Sequence, residues 1–149
     1  MTKHVIVTGG AGFIGSHLVE RLLADGKTAV VIDDLSTGSL ANLEAVRSHP
    51  QLRIIQDRVS ECGELAALVS QAESIYHLAA AVGVELVPNS PLESIRTNLR
   101  ETEAILEAAS QHKIPLLLTS SSEVYGKSQK ESFSEDDDLL IGPPTHLRW

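Results

Sequence analysis

The stretch Thr8-Gly-Gly-Ala-Gly-Phe-Ile-Gly15 joins an apolar, β-branched run at residues 5–8 to a segment at residues 13–24 with apolar residues at helical spacing. These patterns predict a buried strand followed by a helix. The glycines at 9, 12 and 15 suit a tight turn, a close approach of backbone to a pyrophosphate, and close helix packing, in that order. Such a turn is typical of loops that hold phosphates on the free amides of a helix N-terminus. A glycine turn without a ligand is the alternative.

The rest of the chain alternates predicted strands with predicted helices. Strands are predicted at residues 28–32, 52–56, 74–79 and 115–119, and helices at about residues 40–47, 61–71 and 90–111. The longest helix begins at a capping box of Ser90 and Glu93, and the apolar series 92, 95, 99, 106 and 109 continues it. This alternation predicts an α/β fold of the Rossmann type, a doubly wound parallel sheet with strand order 3-2-1-4-5.

Composition excludes several classes of protein. The 149 residues are 42% hydrophobic and 21% charged, which is typical of a globular domain. A formal net charge of −8 provides no attraction for nucleic acid or an anionic membrane. A single cysteine excludes a disulfide scaffold, and six histidines without metal-ligand spacing predict no metal site. Without a membrane-spanning apolar run or an opening signal peptide, a reducing, cytoplasmic location is expected.

An acidic pair follows the second predicted strand. Asp33 comes 18 residues after Gly15, where a carboxylate can accept hydrogen bonds from both ribose hydroxyls of an adenosine. The next residues are Asp34-Leu-Ser-Thr37, without an arginine. Because a 2′-phosphate would meet two carboxylates here, the sequence predicts NAD rather than NADP as the cofactor.

With these residues, the chain resembles the extended short-chain dehydrogenase/reductase family of NAD-dependent sugar-nucleotide epimerases, dehydratases and decarboxylases. The resemblance runs through nearly the whole chain. Five segments carry it: Thr8-Gly-Gly-Ala-Gly-Phe-Ile-Gly-Ser16, Asp33-Asp-Leu-Ser-Thr-Gly38, Asp57-Arg58, His77-Leu-Ala-Ala80 and Thr119-Ser-Ser-Ser-Glu-Val-Tyr-Gly126.

The resemblance implies a set of cofactor-binding residues. In the first two segments they are Gly9, Gly12, Phe13, Ile14, Gly15, Asp33, Asp34, Ser36, Thr37 and Gly38. Further along, Asp57 and Arg58 would flank the adenine, Leu78, Ala79 and Ala80 would line the cofactor, Asn98 would steady the active-site strand, and Thr119 and Ser120 would line the nicotinamide side. From the residues alone, alternatives stay open: a surface ion pair at 57–58, an Asn98 that satisfies a buried carbonyl, and a polar strand exit at 120–122.

The resemblance also implies catalytic residues. Ser121 matches the hydroxyl that bridges the sugar and the catalytic tyrosine in relatives. Ser122 and Glu123 resemble the decarboxylases that act on UDP-glucuronate, where a glutamate could act as an acid or base. The absence of Ser-Pro after His77-Leu-Ala-Ala80 resembles the UDP-hexose 4-epimerases instead, so both branches stay open. Glu101 stands where relatives commonly have glycine and is expected to be a solvated helix position.

The Tyr-x-x-x-Lys pair that this family uses for catalysis is absent from the 149 residues, because Ala80 follows Tyr76 and Gln129 follows Tyr125 at that spacing. We therefore expect residues 1–125 to form the NAD-binding domain and residues 126–149 to form an acidic loop and tail leading toward a catalytic helix and substrate subdomain beyond Trp149. Such a truncated chain would bind NAD without turnover.

Truncation has two expected consequences for the surface. Strand five would have an open edge and apolar surface would be left uncovered, which favours a homo-oligomer. The expected partner of the full-length enzyme is a nucleotide-sugar substrate, with no nucleic acid or membrane. Two other functions are possible: a non-catalytic dinucleotide-binding or regulatory module, and a fold fragment without a cofactor.

Overall fold

The computed structural model describes residues 3–81, 91–140 and 142, and the chain divides into two compact units, Met1–Leu118 and Thr119–Trp149. The first unit contains a five-stranded sheet in which every pairing is parallel. Its strands are β1 (His4–Thr8), β2 (Thr28–Ile32), β3 (Leu52–Ile55), β4 (Ala72–His77) and β5 (Leu116–Leu118). The order is β3-β2-β1-β4-β5, which confirms the predicted Rossmann-type fold and strand order.

Within the described residues, three α-helices connect these strands: α1 (Phe13–Ala24), α2 (Leu65–Ser70) and α3 (Pro91–His112). Short 3₁₀ turns stand at Leu40–Leu43 and Val59–Glu61, so the helices predicted at 40–47 and 61–71 are too long. Cys62-Gly63 separates the second turn from α2, and glycine is a poor helix former. Ser90 of the predicted capping box lies outside the described residues.

The central strand β1 is buried along its whole length and supplies both faces of the core. Because side chains alternate along a strand, Ile6 packs with Ile75 and Ile105 on one face. Val5 and Val7 pack on the other face with the buried side of α1. Helix α1 therefore covers one face of the sheet, and α2 and α3 cover the other.

Helix α3 turns most of its apolar series away from the sheet. Its buried residues are Ser94, Glu101, Ile105, Ala108 and Ala109. Of the predicted series only Ala109 is buried, whereas Leu92, Ile95, Leu99 and Leu106 are 45–67% exposed. β5 is an edge strand, and about half of Leu117 and Leu118 is exposed. The expected open edge and uncovered apolar surface are therefore present in the part of the chain that the structure describes.

The second unit contains a 3₁₀ turn at Ser122–Tyr125. Tyr125 stacks on Phe133 with ring centroids 4.7 Å apart, and Gly126 forms a parallel bridge with Leu140. Across the described ranges of both units, no helix is long and apolar enough to cross a membrane.

The orientation of α3 predicts unequal effects for two neighbouring substitutions. Ile105→Ala removes a fully buried side chain, so we expect it to lower the free energy of unfolding by about 2–5 kcal/mol. Leu106→Ala changes a residue that is 45% exposed, so it should lower the free energy of unfolding by about 1 kcal/mol or less. Urea unfolding of both variants measures the difference, and equal losses would contradict the assignment of the buried face.

Candidate functional site

The glycine-rich turn lies at the carboxyl end of β1, in contact with both α1 and the exit of β4. Gly9 has a φ of +68°, and a Cβ there would stand 2.8 Å from the amide nitrogen of Ala79. A Cβ on Gly15 would collide with the carbonyl oxygen of Gly9, so only glycine lets α1 begin this close to the turn. The close helix packing predicted for Gly15 is therefore a contact between the first turn of α1 and the backbone of Gly9 and Gly10.

The first turn of α1 is open to the surface. Gly12 is the N-cap, no side chain caps the helix among the described residues, and the first turn contains no acidic residue. Phe13 and Ile14 are 78% and 68% exposed. Because the first amides of a helix have no acceptor within it, this end offers donors and the positive end of the helix dipole to an anion.

Asp33 is buried at the exit of β2 and braces the glycine-rich turn. Its Oδ2 accepts a hydrogen bond from the amide of Ala11 at 2.8 Å, and its Oδ1 accepts one from the amide of Leu35 at 2.9 Å. Leu35 has a φ of +59°, in the left-handed region. Each carboxylate oxygen has a further lone pair, so Asp33 retains capacity for the ribose hydroxyls expected from the sequence.

The loop after Asp33 folds back on the same turn. The carbonyl oxygen of Ala11 accepts hydrogen bonds from the amide of Ser39 at 3.0 Å and from Asn42 Nδ2 at 2.8 Å. Gly38 packs so closely that a Cβ would stand 3.0 Å from Asp33 Oδ1. The sequence prediction did not include Asn42, because its contact depends on the path of the whole loop.

The exits of β2 and β3 bring together two predicted cofactor pairs, Asp33-Asp34 and Asp57-Arg58. The Arg58 guanidinium lies 3.4 Å from Asp34 Oδ2, and the amide of Asp57 donates to the carbonyl oxygen of Asp33 at 3.2 Å. Burial raises the pKa of Asp34, but its hydrogen bonds with Ser36 and the charge of Arg58 outweigh this effect, so the pKa lies below its ordinary value. The structure thus groups these residues at one edge of the sheet.

At the exit of β4, a buried threonine holds the predicted cofactor-lining segment. Thr8 Oγ1 accepts hydrogen bonds from the amides of Leu78 and Ala79, both at 3.2 Å, and lies 2.8 Å from His77 Nδ1. Since two amides occupy its lone pairs, the Thr8 hydroxyl donates its proton to His77. His77 then carries its own proton on Nε2, which donates to Thr102 Oγ1 at 3.3 Å.

These bonds explain why β4 ends before the predicted strand. The sequence predicted a strand at residues 74–79, but β4 runs from Ala72 to His77. The amide of Leu78 still donates to the backbone carbonyl oxygen of Thr8 at 3.2 Å as well as to the Thr8 hydroxyl, but the amide of Ala79 turns to the hydroxyl, and the pairing of β4 with β1 ends at His77.

Asn98 binds the backbone that follows the cofactor-lining residues. Its Oδ1 accepts a hydrogen bond from the amide of Ala81 at 2.6 Å, and its Nδ2 donates to the carbonyl oxygen of Ala81 at 3.3 Å. Both amide atoms thus contact the segment next to Ala80. Direct contact of Asn98 with a cofactor stays a prediction.

The predicted residues of the nicotinamide side and of catalysis, Thr119, Ser120, Ser121, Ser122 and Glu123, are exposed and belong to the second unit. Ser121 Oγ caps the following turn by accepting a hydrogen bond from the amide of Glu123 at 3.3 Å. Their roles stay predictions. Among the described residues, no group of three or more His, Cys, Asp or Glu side chains could hold a metal ion.

One residue of α3, Glu101, has a different environment from the one that the sequence predicts. Glu101 was expected to be a solvated helix position, but only 6% of it is exposed. It accepts hydrogen bonds from the amide and hydroxyl of Ser60, 41 residues away in the chain. A long-range partner of this kind has no signal in a single sequence.

Two buried histidines make the stability of the fold depend on pH. Burial lowers the pKa of His77 below its ordinary value of 6.5, although the Glu101 carboxylate opposes this shift. Burial also lowers the pKa of His4, with an opposing hydrogen bond to the Leu68 backbone and a further lowering by Arg53. His4 Nε2 lacks a hydrogen-bond partner within the described residues. Both sites therefore favour the neutral imidazole.

We expect acid to destabilise the fold in a defined range. Well above pH 6.5 both histidines are neutral in the folded and the unfolded state. As the pH falls through 6.5, the histidines of the unfolded chain bind protons that those of the folded chain do not yet bind. Stability should therefore fall as the pH drops below about 6.5, by at most about 1.4 kcal/mol per pH unit for each histidine. Urea unfolding between pH 8 and 5 measures this slope. His4→Leu should reduce it, and an unchanged slope would contradict the role of His4.

Together, the parallel sheet, the glycine turn and the acidic strand exit define a Rossmann-type domain of the dinucleotide-binding class. A family model described as GDP-mannose 4,6 dehydratase matches residues 6–141. The chain therefore belongs to this family, which confirms the resemblance to the extended short-chain dehydrogenase/reductases.

Three similar proteins carry out three different reactions. A UDP-N-acetyl-alpha-D-glucosaminuronate decarboxylase from Bacillus cytotoxicus is 38% identical over 100% of this chain and 46% of its own length. A UDP-N-acetylglucosamine 4-epimerase structure from Methanobrevibacter ruminantium has a TM-score of 0.85 at 32% identity, covering 93% of this chain and 44% of that one. A dTDP-glucose 4,6-dehydratase structure from Streptomyces venezuelae, with NAD bound, has a TM-score of 0.84 at 32% identity and covers 92% of this chain and 45% of that one. The chain thus spans less than half the length of each.

Proposed function

We propose that this chain is the NAD-binding portion of an enzyme that modifies a nucleotide sugar. The observation that carries the proposal is the uncapped N-terminus of α1, packed against the Gly9 turn and braced by Asp33 at the exit of β2. Backbone amides supply the positive potential, so an anionic cofactor is compatible with a net charge of −8. The NAD bound to the similar dehydratase supports the same choice of cofactor.

Each part of the site has a task in binding NAD. The first amides of α1 would hold the pyrophosphate, and the remaining lone pairs of Asp33 would accept the ribose hydroxyls. Asp34 stands beside Asp33 and repels a 2′-phosphate, which favours NAD over NADP. Residues 78–80, of which Leu78 and Ala79 are held by Thr8, would border the cofactor on the β4 side. When bound, NAD supplies a reversible acceptor for hydride from the sugar.

For the whole enzyme, we propose a UDP-linked sugar as substrate, with the decarboxylases of UDP-linked uronates as the favoured branch. Glu123 and the similar decarboxylase support this branch, and the epimerase likeness keeps a UDP-hexose 4-epimerase as the second candidate. Ser121 would hydrogen-bond the sugar, and Glu123 would exchange a proton with it.

The division of labour along the chain is also part of this proposal. Residues 1–125 would serve NAD binding, and residues 126–149 would lead toward a catalytic helix. Because the 149 residues contain no Tyr-x-x-x-Lys, we propose that they bind NAD without turning over a sugar. A reducing, cytoplasmic setting fits the buried free thiol of Cys62.

Calorimetric titration with NAD tests the proposal. The unmodified chain should bind NAD with a micromolar dissociation constant. Gly12→Leu should weaken binding by about tenfold to a hundredfold, because its side chain fills the space above the helix amides. Gly12 has an ordinary φ of −77°, and among the described residues only the Gly9 carbonyl oxygen, at 3.2 Å, lies within 4 Å of a Cβ built there.

Gly63→Leu is the matched control, since a Cβ there meets no described residue within 4 Å, and the variant should bind NAD as the unmodified chain does. Failure of the unmodified chain to bind NAD would refute the cofactor assignment and favour a fold fragment. Conversion of a UDP-uronate or UDP-hexose by the isolated chain would contradict the absence of turnover.

We further propose that the chain forms a homo-oligomer through the exposed apolar stripe of α3, defined as Leu92, Ile95, Leu99 and Leu106. Arg96 lies near the start of the stripe and Glu107 near its end, and both are exposed. Antiparallel contact between two copies of α3 would therefore pair opposite charges at each end while burying the stripe.

Sedimentation equilibrium tests this association. Leu99→Asp places a charge in the middle of the stripe and should weaken association by about tenfold or more. Leu139→Asp, at an exposed leucine of the second unit, is the matched control and should leave association unchanged. A clean monomer at every concentration of the unmodified chain would refute the proposed oligomer.

A further inference from the structure

One face of α3 carries three polar residues, each bonded to a different segment near the candidate site. Asn98, Glu101 and Thr102 follow an i, i+3, i+4 spacing, which places them side by side on a helix. Asn98 binds the backbone of Ala81, and Thr102 binds His77. Glu101 binds Ser60, in the loop after β3. Helix α3 thus contacts the loop after β3 and the carboxyl end of β4 with the residues that follow it.

The contact of Glu101 is bidentate and shielded from solvent. The amide of Ser60 donates to Oε2 at 2.8 Å, and the hydroxyl of Ser60 donates to Oε1 at 2.7 Å. Only 6% of Glu101 is exposed. Hydrogen bonds to a carboxylate are stronger than neutral ones, and loss of this acceptor would leave a partly buried amide and hydroxyl without it.

Ser60 lies in the Val59–Glu61 turn, directly after Asp57 and Arg58. Val59 anchors this turn in the core, and Glu101 anchors it from the helix. Before the turn, Arg58 pairs with Asp34, and the amide of Asp57 bonds to the carbonyl oxygen of Asp33. The position of Ser60 therefore influences, two or three residues earlier in the chain, the pair that the family resemblance places beside the adenine.

We propose that Glu101 is a positioning residue that holds the Asp57-Arg58 pair in place for the adenosine end of the cofactor. This inference rests on the proposed binding of NAD. It also gives a role to a buried carboxylate on α3 whose two hydrogen bonds both go to Ser60. In this role Glu101 acts through its hydrogen bonds to Ser60.

Two glycine substitutions in α3 separate positioning from helix stability. Glu101→Gly removes the anchor, whereas Glu103→Gly changes an exposed glutamate two residues away at the same cost in helix propensity. ADP is the probe for the adenosine end, and NAD is measured in parallel by calorimetry at a temperature where all variants are folded. Amide hydrogen exchange at residues 57–61, without any nucleotide, reports on the anchor itself.

We expect Glu101→Gly to speed hydrogen exchange of the Ser60 amide and to weaken the binding of ADP and NAD by about tenfold. Glu103→Gly should leave both the exchange rate and the affinities unchanged. Glu101→Gln should restore most of the affinity, because its Oε1 accepts from the Ser60 amide and its Nε2 donates to the Ser60 hydroxyl. Ser60→Ala keeps the hydrogen bond from the residue-60 amide to Glu101 and should therefore give a smaller loss of nucleotide affinity. This variant replaces Glu101→Gly in the test if Glu101→Gly does not fold.

The outcomes distinguish this inference from the proposed function. Absence of ADP and NAD binding by the unmodified chain would overturn the proposed function and the positioning role with it. Normal ADP affinity in a folded Glu101→Gly variant, or an equal loss in Glu103→Gly, would overturn the positioning role alone.

Discussion

The rest of the structure depends on the contact between the first turn of α1 and the carbonyl oxygen of Gly9. Only a glycine at position 15 allows this contact, because a Cβ would collide with that oxygen. The contact fixes where α1 begins, and the helix then packs Val19 and Leu23 against the face of β1 that carries Val5 and Val7. Its uncapped amides therefore stand at the carboxyl edge of the sheet, where the exits of the neighbouring parallel strands also meet.

The polar groups at this edge stabilise one another by filling their hydrogen-bonding capacity. Asp33 accepts two amides, the Thr8 hydroxyl accepts two amides and donates to His77, and Glu101 accepts from both polar groups of Ser60. A buried polar group is costly only when it lacks partners. Because the partners come from the exits of β1, β2, β3 and β4 and from α3, these groups hold the edge as one network, which suits a site that must present backbone atoms in fixed positions.

Local patterns were sufficient to predict the five strands, their order and the glycine turn, since periodicity and turn chemistry are properties of neighbouring residues. Features set by distant partners were not predictable. β4 ends at His77 because of Thr8, 69 residues earlier, and Glu101 is buried because of Ser60. The apolar series of α3 identified a helix correctly, yet most of it faces away from the sheet, because the buried face carries Ser94, Glu101 and two alanines. Periodicity identifies a helix but does not identify which face meets the core.

This arrangement also explains why one framework is compatible with several reactions. Most of the groups that would hold the cofactor are backbone atoms fixed by Gly9, Gly15 and Asp33, and they are independent of the sugar. The residues that would distinguish one reaction from another, such as Ser122 and Glu123, lie in the second unit. Under the proposed roles, cofactor binding would stay constant while a few side chains after β5 change the chemistry. The same backbone groups explain how an acidic chain can bind an anionic cofactor. The helix amides attract the anion at short range, whereas salt screens the repulsion from the net negative charge of the chain.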